Sequence, residues 1–194
     1  MIEATAPEAI LAYAQLYAYG LPDNERAAGM TEEIVQGVQV KVIGDVLNSF
    51  RQYPLSEKNA QAATTEYLTK LRDKMKIRAT LKKDDEVNPV VELTAVTPDN
   101  ETSNKRAETD ENLLAFGTRL GKMRVRGLTD EQLKENEDFQ QFALECLDKF
   151  TDNFAYHPEA SIEVVCTAVD GADGKFYWAP VNPEALAKFV TGQV

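Results

Sequence analysis

Gly44-Asp-Val-Leu-Asn-Ser-Phe-Arg-Gln-Tyr-Pro-Leu-Ser56 aligns without gaps on Gly117-Thr-Arg-Leu-Gly-Lys-Met-Arg-Val-Arg-Gly-Leu-Thr129, and this pair of stretches decides the reading of the fold. Gly44/Gly117, Leu47/Leu120, Arg51/Arg124 and Leu55/Leu128 coincide. At the same offset of about 73 residues, Val91-Glu-Leu-Thr-Ala-Val96 faces Val164-Val-Cys-Thr-Ala-Val169. A further match, Tyr67-Leu-Thr-Lys-Leu-Arg-Asp-Lys-Met75 on Phe142-Ala-Leu-Glu-Cys-Leu-Asp-Lys-Phe150, needs gaps on both sides and weighs less. Helices followed by strands, stated twice, predict an α+β fold built as a tandem helix-helix-strand-strand repeat, with helices on antiparallel sheet. The first unit takes residues 1–97, with an added N-terminal helix. Residues 98–109 are polar and aperiodic and read as the linker, and 110–194 form the second unit, closed by a C-terminal helix.

The local patterns fill in the elements. Pro7 opens a helix that Gly20 stops. Thr31 caps a long helix in which Ile34, Val38, Val42, Val46 and Phe50 recur at helical spacing, in spite of the β-branched run from Val38 to Ile43. Ser56 starts the next helix, to about Met75. Ile77 to Leu81 and Val90 to Ala95 alternate as two strands across the acidic turn Asp84-Asp-Glu86. Asp110 to Arg126 is helical, and Thr129-Asp-Glu-Gln132 has the capping-box spacing for one helix reaching Phe150. Ser161 to Val169 and Lys175 to Val181 form a hairpin, and Asn182-Pro-Glu184 opens the closing helix.

Composition excludes more than it assigns. The 194 residues carry a net charge of −11 and a pI near 4.6, which disfavours nucleic acid and anionic lipid as partners of the folded surface. No apolar run is long enough to span a membrane. Met1-Ile-Glu-Ala-Thr-Ala-Pro-Glu8 has neither a basic segment nor an apolar core, so the chain as given shows no secretion signal; a chain begun after a removed signal would read the same.

No constellation of catalytic, metal-ligating or cofactor-binding residues stands out. Asp170-Gly-Ala-Asp-Gly174 fails the alternate-oxygen pattern of a calcium loop and reads as a turn. His157 is the single histidine, with no motif beside it, and reads as a loop residue. The glycines show no phosphate-loop spacing, and no two of the 32 acids are singled out as a catalytic pair. Cys146 and Cys166 read either as buried thiols or as a disulfide joining a helix to a strand. The one aromatic cluster is Phe176-Tyr-Trp178, with Tyr156 upstream. Phe176 and Trp178 share one face of a strand, where they cover the sheet against a helix or, with Tyr156, form the wall of an apolar ligand pocket.

The closing stretch Gly174-Lys-Phe-Tyr-Trp-Ala-Pro-Val-Asn-Pro-Glu-Ala-Leu-Ala-Lys-Phe-Val-Thr-Gly192 resembles the end of many small extracytoplasmic bacterial lipoprotein domains. With the duplication, the chain is similar to an uncharacterised lipoprotein family of Gram-positive bacteria with a cystatin-like or nuclear-transport-factor-two-like α+β domain. The resemblance implies a non-enzymatic binding or interaction domain, held at the cell surface through a lipid anchor that this sequence does not contain. The partner would be a protein, an envelope polymer or a small apolar ligand. The alternatives are a cystatin-like enzyme acting on a small hydrophobic substrate and a cytoplasmic structural adaptor. Enzymes of that group use a pocket histidine and aspartates, which do not map onto His157, so no catalytic residue is carried over.

Overall fold

In the computed structural model, which describes residues 4–193, the first helix, α1 (Ala6–Tyr19), starts at a capping box: Thr5 accepts from the Glu8 amide and Glu8 reaches back to the Thr5 amide. Met1–Glu3, where the stretch read for a secretion signal begins, and Val194 lie outside the described residues. Gly20, in the left-handed conformation, ends α1. A short 3₁₀ turn (Glu25–Ala28) leads to α2 (Glu32–Arg51), where Thr31 accepts from the Ile34 amide at 3.2 Å. α3 (Glu57–Met75), β1 (Arg78–Lys83) and β2 (Val90–Ala95) follow. Then come α4 (Asn100–Ala107), α5 (Glu111–Val125), α6 (Asp130–Glu135) and α7 (Glu137–Asp152). β3 (Ala160–Asp170), β4 (Phe176–Pro180) and α8 (Pro183–Val190) complete the chain, and the class is α+β.

Packing divides the chain into two compact units, neither of them contiguous. The first comprises Met1–Ile43, Arg72–Pro98 and Tyr156–Val194; the second comprises Gly44–Leu71 and Asp99–Ala155. The sequence division into 1–97, 98–109 and 110–194 describes order along the chain, and packing follows other lines. The two hairpins, expected in separate copies, join one antiparallel sheet in the order β1-β2-β3-β4. A lone hairpin is marginally stable, and pairing β2 with β3 turns two exposed edges into the sheet's interior.

That sheet belongs to the first unit. β3 is its hub: residues 160–165 pair with β2 and 166–170 with β4. At the changeover, the Cys166 amide donates to the Pro89 carbonyl and the Asn88 side chain to the Cys166 carbonyl, both at 2.9 Å. Val91, Leu93 and Ala95 of β2, with Val164 and Cys166 of β3, are the alternate, buried residues. α1 packs against β1, β2 and β4 and against α8, bringing Ile10 and Leu16 into this core with Leu186 and Val190. The β2 and β3 stretches equated by the offset of about 73 are neighbours in the sheet, with Val91 opposite Val164, whereas element order would equate β1 with β3. The strand match therefore reports a shared alternation of burial.

The second unit holds the helical core, in which Phe116, Leu133, Phe139, Ala143 and Leu147 are buried with Phe50 and Leu55. Two expectations are corrected here. Residues 98–109, read as a linker, contain helix α4: Asp99 accepts from the Thr102 amide at 2.9 Å, and Glu101 pairs with Lys105 one turn on. The Asp99 amide donates to the Ala155 carbonyl, and the Ala155 amide to the Ser103 hydroxyl, so backbone pairing holds the segment down. The single helix expected from Thr129 to Phe150 is broken at Asn136, whose side chain caps α7 by accepting from the Phe139 amide at 2.9 Å.

Candidate functional site

The ends of α2 and α7 each carry aromatic residues at helical spacing: Phe50 and Tyr53 at one, Phe150 and Phe154 at the other. In the second unit these four rings and Tyr67 of α3 surround a half-open cleft of about 260 Å³. Phe150 and Phe154 meet edge to face with centroids 5.0 Å apart, and Phe154 and Tyr67 do so at 5.6 Å. Tyr53 lies edge-on to core Phe116 at 5.6 Å, and Phe116 packs on Phe139 at 5.9 Å, so one wall is continuous with the helical core. Val46 and Leu147 add aliphatic surface, while Ser49, Gln52 and Thr151 supply the polar groups. An apolar concavity with a few polar groups at its margin is the usual form of a small-ligand site.

Electrostatics beside the cleft centre on Lys70. Its ammonium donates to the Asp148 carbonyl at 3.0 Å, to the Asp148 carboxylate, and to the Thr151 hydroxyl at 3.2 Å, and pairs with Asp152 at 2.9 Å. Burial opposes the charge on Lys70, but the Asp148 and Asp152 carboxylates outweigh it and hold the ammonium above its ordinary pKa. The Asp148 carbonyl lies in the last turn of α7, where a cation also complements the helix dipole. Burial raises the pKa of Tyr53, so at neutral pH its phenol is uncharged.

Tyr156, His157, Phe176 and Trp178, singled out in the sequence, lie in the first unit and are not among the residues lining this cleft. Along β4 the burial alternates as expected for a strand, but the buried ring is Tyr177, while Trp178 is half-buried and Phe176 exposed. The Tyr177 ring lies against Gly29 and Gly171, where a Cβ would overlap it, and its hydroxyl donates to Asp173 at 2.5 Å. Tyr156 is half-buried and forms an isolated bridge with Pro98. The His157 amide donates to the Thr97 carbonyl at 2.8 Å. Cys146 on α7 and Cys166 on β3 are buried free thiols in different units; burial pushes both thiol pKa values up, that of Cys166 to about 11. Among the described residues no three His, Cys, Asp or Glu side chains are placed to share a metal ion. None of the helices described is long and apolar enough to cross a membrane.

Comparison with family models and with curated proteins finds no match. Among solved structures, the chain is similar to a crystal structure described as "a putative lipoprotein (ycdA) from Bacillus subtilis subsp. subtilis str. 168", at 16% identity and a TM-score of 0.55. The likeness covers 97% of this chain and 55% of the Bacillus chain, so the present sequence spans about half the length of that protein. At this identity the likeness is one of fold.

Proposed function

We propose that this chain is a non-catalytic ligand-binding module of a cell-surface lipoprotein, and that its site is the ring-lined cleft of the helical unit. The observation that carries the reading is the cleft itself: five aromatic rings enclose it, and none of the described side chains lining it is charged. The placement at the surface draws its support from the likeness of fold to the Bacillus protein and from the resemblance of the closing stretch to lipoprotein domains. In this reading α1 across a four-stranded antiparallel meander is a cystatin-like core. The second unit is a helical elaboration entered twice, before β1 and between β2 and β3, and its two helical segments descend from a duplication.

Titration with N-phenyl-1-naphthylamine, a neutral dye whose emission rises in apolar surroundings, tests the site. Saturable one-site binding is expected. Ser49→Trp, at an exposed position on the rim, weakens it by about tenfold or more without lowering the thermal midpoint, because the indole occupies the cleft. Unaltered binding in that variant overturns the assignment. Radioactive palmitate supplied to cells expressing the native gene tests the placement: incorporation into the product is expected, and its absence overturns the lipoprotein reading.

A further inference from the structure

The rings around the cleft meet at steep angles: Phe150 with Phe154 at 90°, Phe154 with Tyr67 at 73°, and Tyr67 with Phe50 at 65°. Rings set so stand around a space instead of stacking beside it, the arrangement in which π-systems attract an enclosed cation. The volume, about 260 Å³, lies below the ~300–1,000 Å³ of drug-sized sites, so the enclosed group is compact.

Charge at the border of the cleft has the matching sign. A recess lined by Phe50, Ala63, Glu66, Leu147, Asp148 and Thr151 shares Phe50, Leu147 and Thr151 with the cleft, and so brings two carboxylates beside it. Lys70 meets both Asp148 and Asp152, and one ammonium cannot neutralise two carboxylates. Glu66 adds a third: it is exposed, and its side chain has no ion pair or hydrogen bond among the described residues. Two neighbouring cations are balanced separately, Arg51 by Glu57 and Arg106 by Asp110, which both reach Asn153. An anion would meet this negative border and a chain of net charge −11.

The hydrogen-bonding state of the wall narrows the kind of cation. The Thr151 hydroxyl already donates to the Asp148 carbonyl at 2.9 Å and accepts from Lys70 at 3.2 Å. An ammonium bearing N–H groups would give up water at this wall without finding a free acceptor, whereas a fully alkylated one has no N–H to satisfy.

We propose that the cleft takes an alkylated ammonium, a compact organic cation whose methyl groups lie among the rings and whose charge is balanced by Glu66, Asp148 and Asp152 at the border. The ligand carries no anionic group of its own close to the nitrogen, because the same carboxylates would repel it. The proposal rests on the cleft being the binding site.

Choline and 3,3-dimethyl-1-butanol, its neutral isostere, are each titrated into the full chain while the phenylalanine and tyrosine rings are followed by NMR. Both are expected to bind, choline about fivefold more tightly. Raising sodium chloride to about 0.5 M lowers the choline-to-alcohol ratio a few-fold, since salt screens the carboxylates. Glu66→Gln, at an exposed position, lowers the same ratio by about threefold, a change that mere loosening of the fold would not produce. Glycerophosphocholine, which adds a phosphate beside the ammonium, is expected to bind more weakly than choline. The alcohol equalling choline, a ratio unmoved by both salt and Glu66→Gln, or glycerophosphocholine binding as well as choline overturns the proposal and leaves the binding site intact. Rings unmoved by every probe overturn the site and the proposal together.

Discussion

Gln140 shows how much a single buried amide organises in the helical unit. Its carbonyl oxygen accepts from the Ser56 amide and from the Asn59 side chain, and its NH₂ donates to the Pro54 and Leu133 carbonyls, each at 2.9 Å. It thereby joins the start of α3 to α6 and α7. Gln140→Ala leaves several of these groups unpaired, some of them buried, and is expected to cost about 3 kcal/mol, read as a lower midpoint in urea with an unchanged slope. Asp110, buried at the start of α5, faces the opposite pair of forces. Burial raises its pKa, but donation from the Leu113 and Asn112 amides and the Asn153 side chain wins, so the value is lowered. A carboxyl whose folded pKa lies below its unfolded one lends stability that is complete above the unfolded value and is lost as pH falls through the folded value. The chain is therefore expected to lose stability as pH falls below the ordinary carboxyl range, and Asp110→Asn to flatten that loss, as measured by urea unfolding at each pH.

Among the elements, those with a sustained apolar spacing were legible and those without one were hidden. α2 announces itself by Ile34, Val38, Val42, Val46 and Phe50 although β-branched residues crowd it, because the four-residue spacing is sustained. α4 buries none of its residues, so no periodicity marks it, and its stability comes from the Asp99 cap and from backbone pairing to Ala155. The break between α6 and α7 is signalled by one asparagine within an otherwise helical run. Asn136→Ala removes the cap of α7 and is expected to cost about 1 kcal/mol, seen as a fall in urea midpoint and faster amide exchange over the first turn of α7. The cleft escaped the sequence reading for a related reason. Phe50, Tyr53 and Tyr67 lie far along the chain from Phe150 and Phe154, and each ring taken singly reads as core. Phe176-Tyr-Trp178 drew attention because its rings are adjacent in sequence, yet adjacency on a strand sends alternate rings to opposite faces.

For the molecule as a whole, the α+β class follows from patterns short enough to read locally, whereas its division into units depends on contacts the linear order conceals. The chain leaves the sheet-bearing unit within α2, returns within α3, leaves again after Pro98 and returns at Tyr156. Nothing in composition marks these crossings, since two of them fall inside helices. What fixes the arrangement is the demand of strand edges for partners: β2 and β3 pair across the helices inserted between them. The central claim is that binding belongs to the helical unit, and ring-resolved NMR of the full chain titrated with 3,3-dimethyl-1-butanol tests it most directly. The account predicts saturable shifts at Phe50, Tyr53, Tyr67, Phe150 and Phe154, with Tyr156, Phe176 and Trp178 unmoved; shifts at the latter three, or at none of the eight, would contradict it.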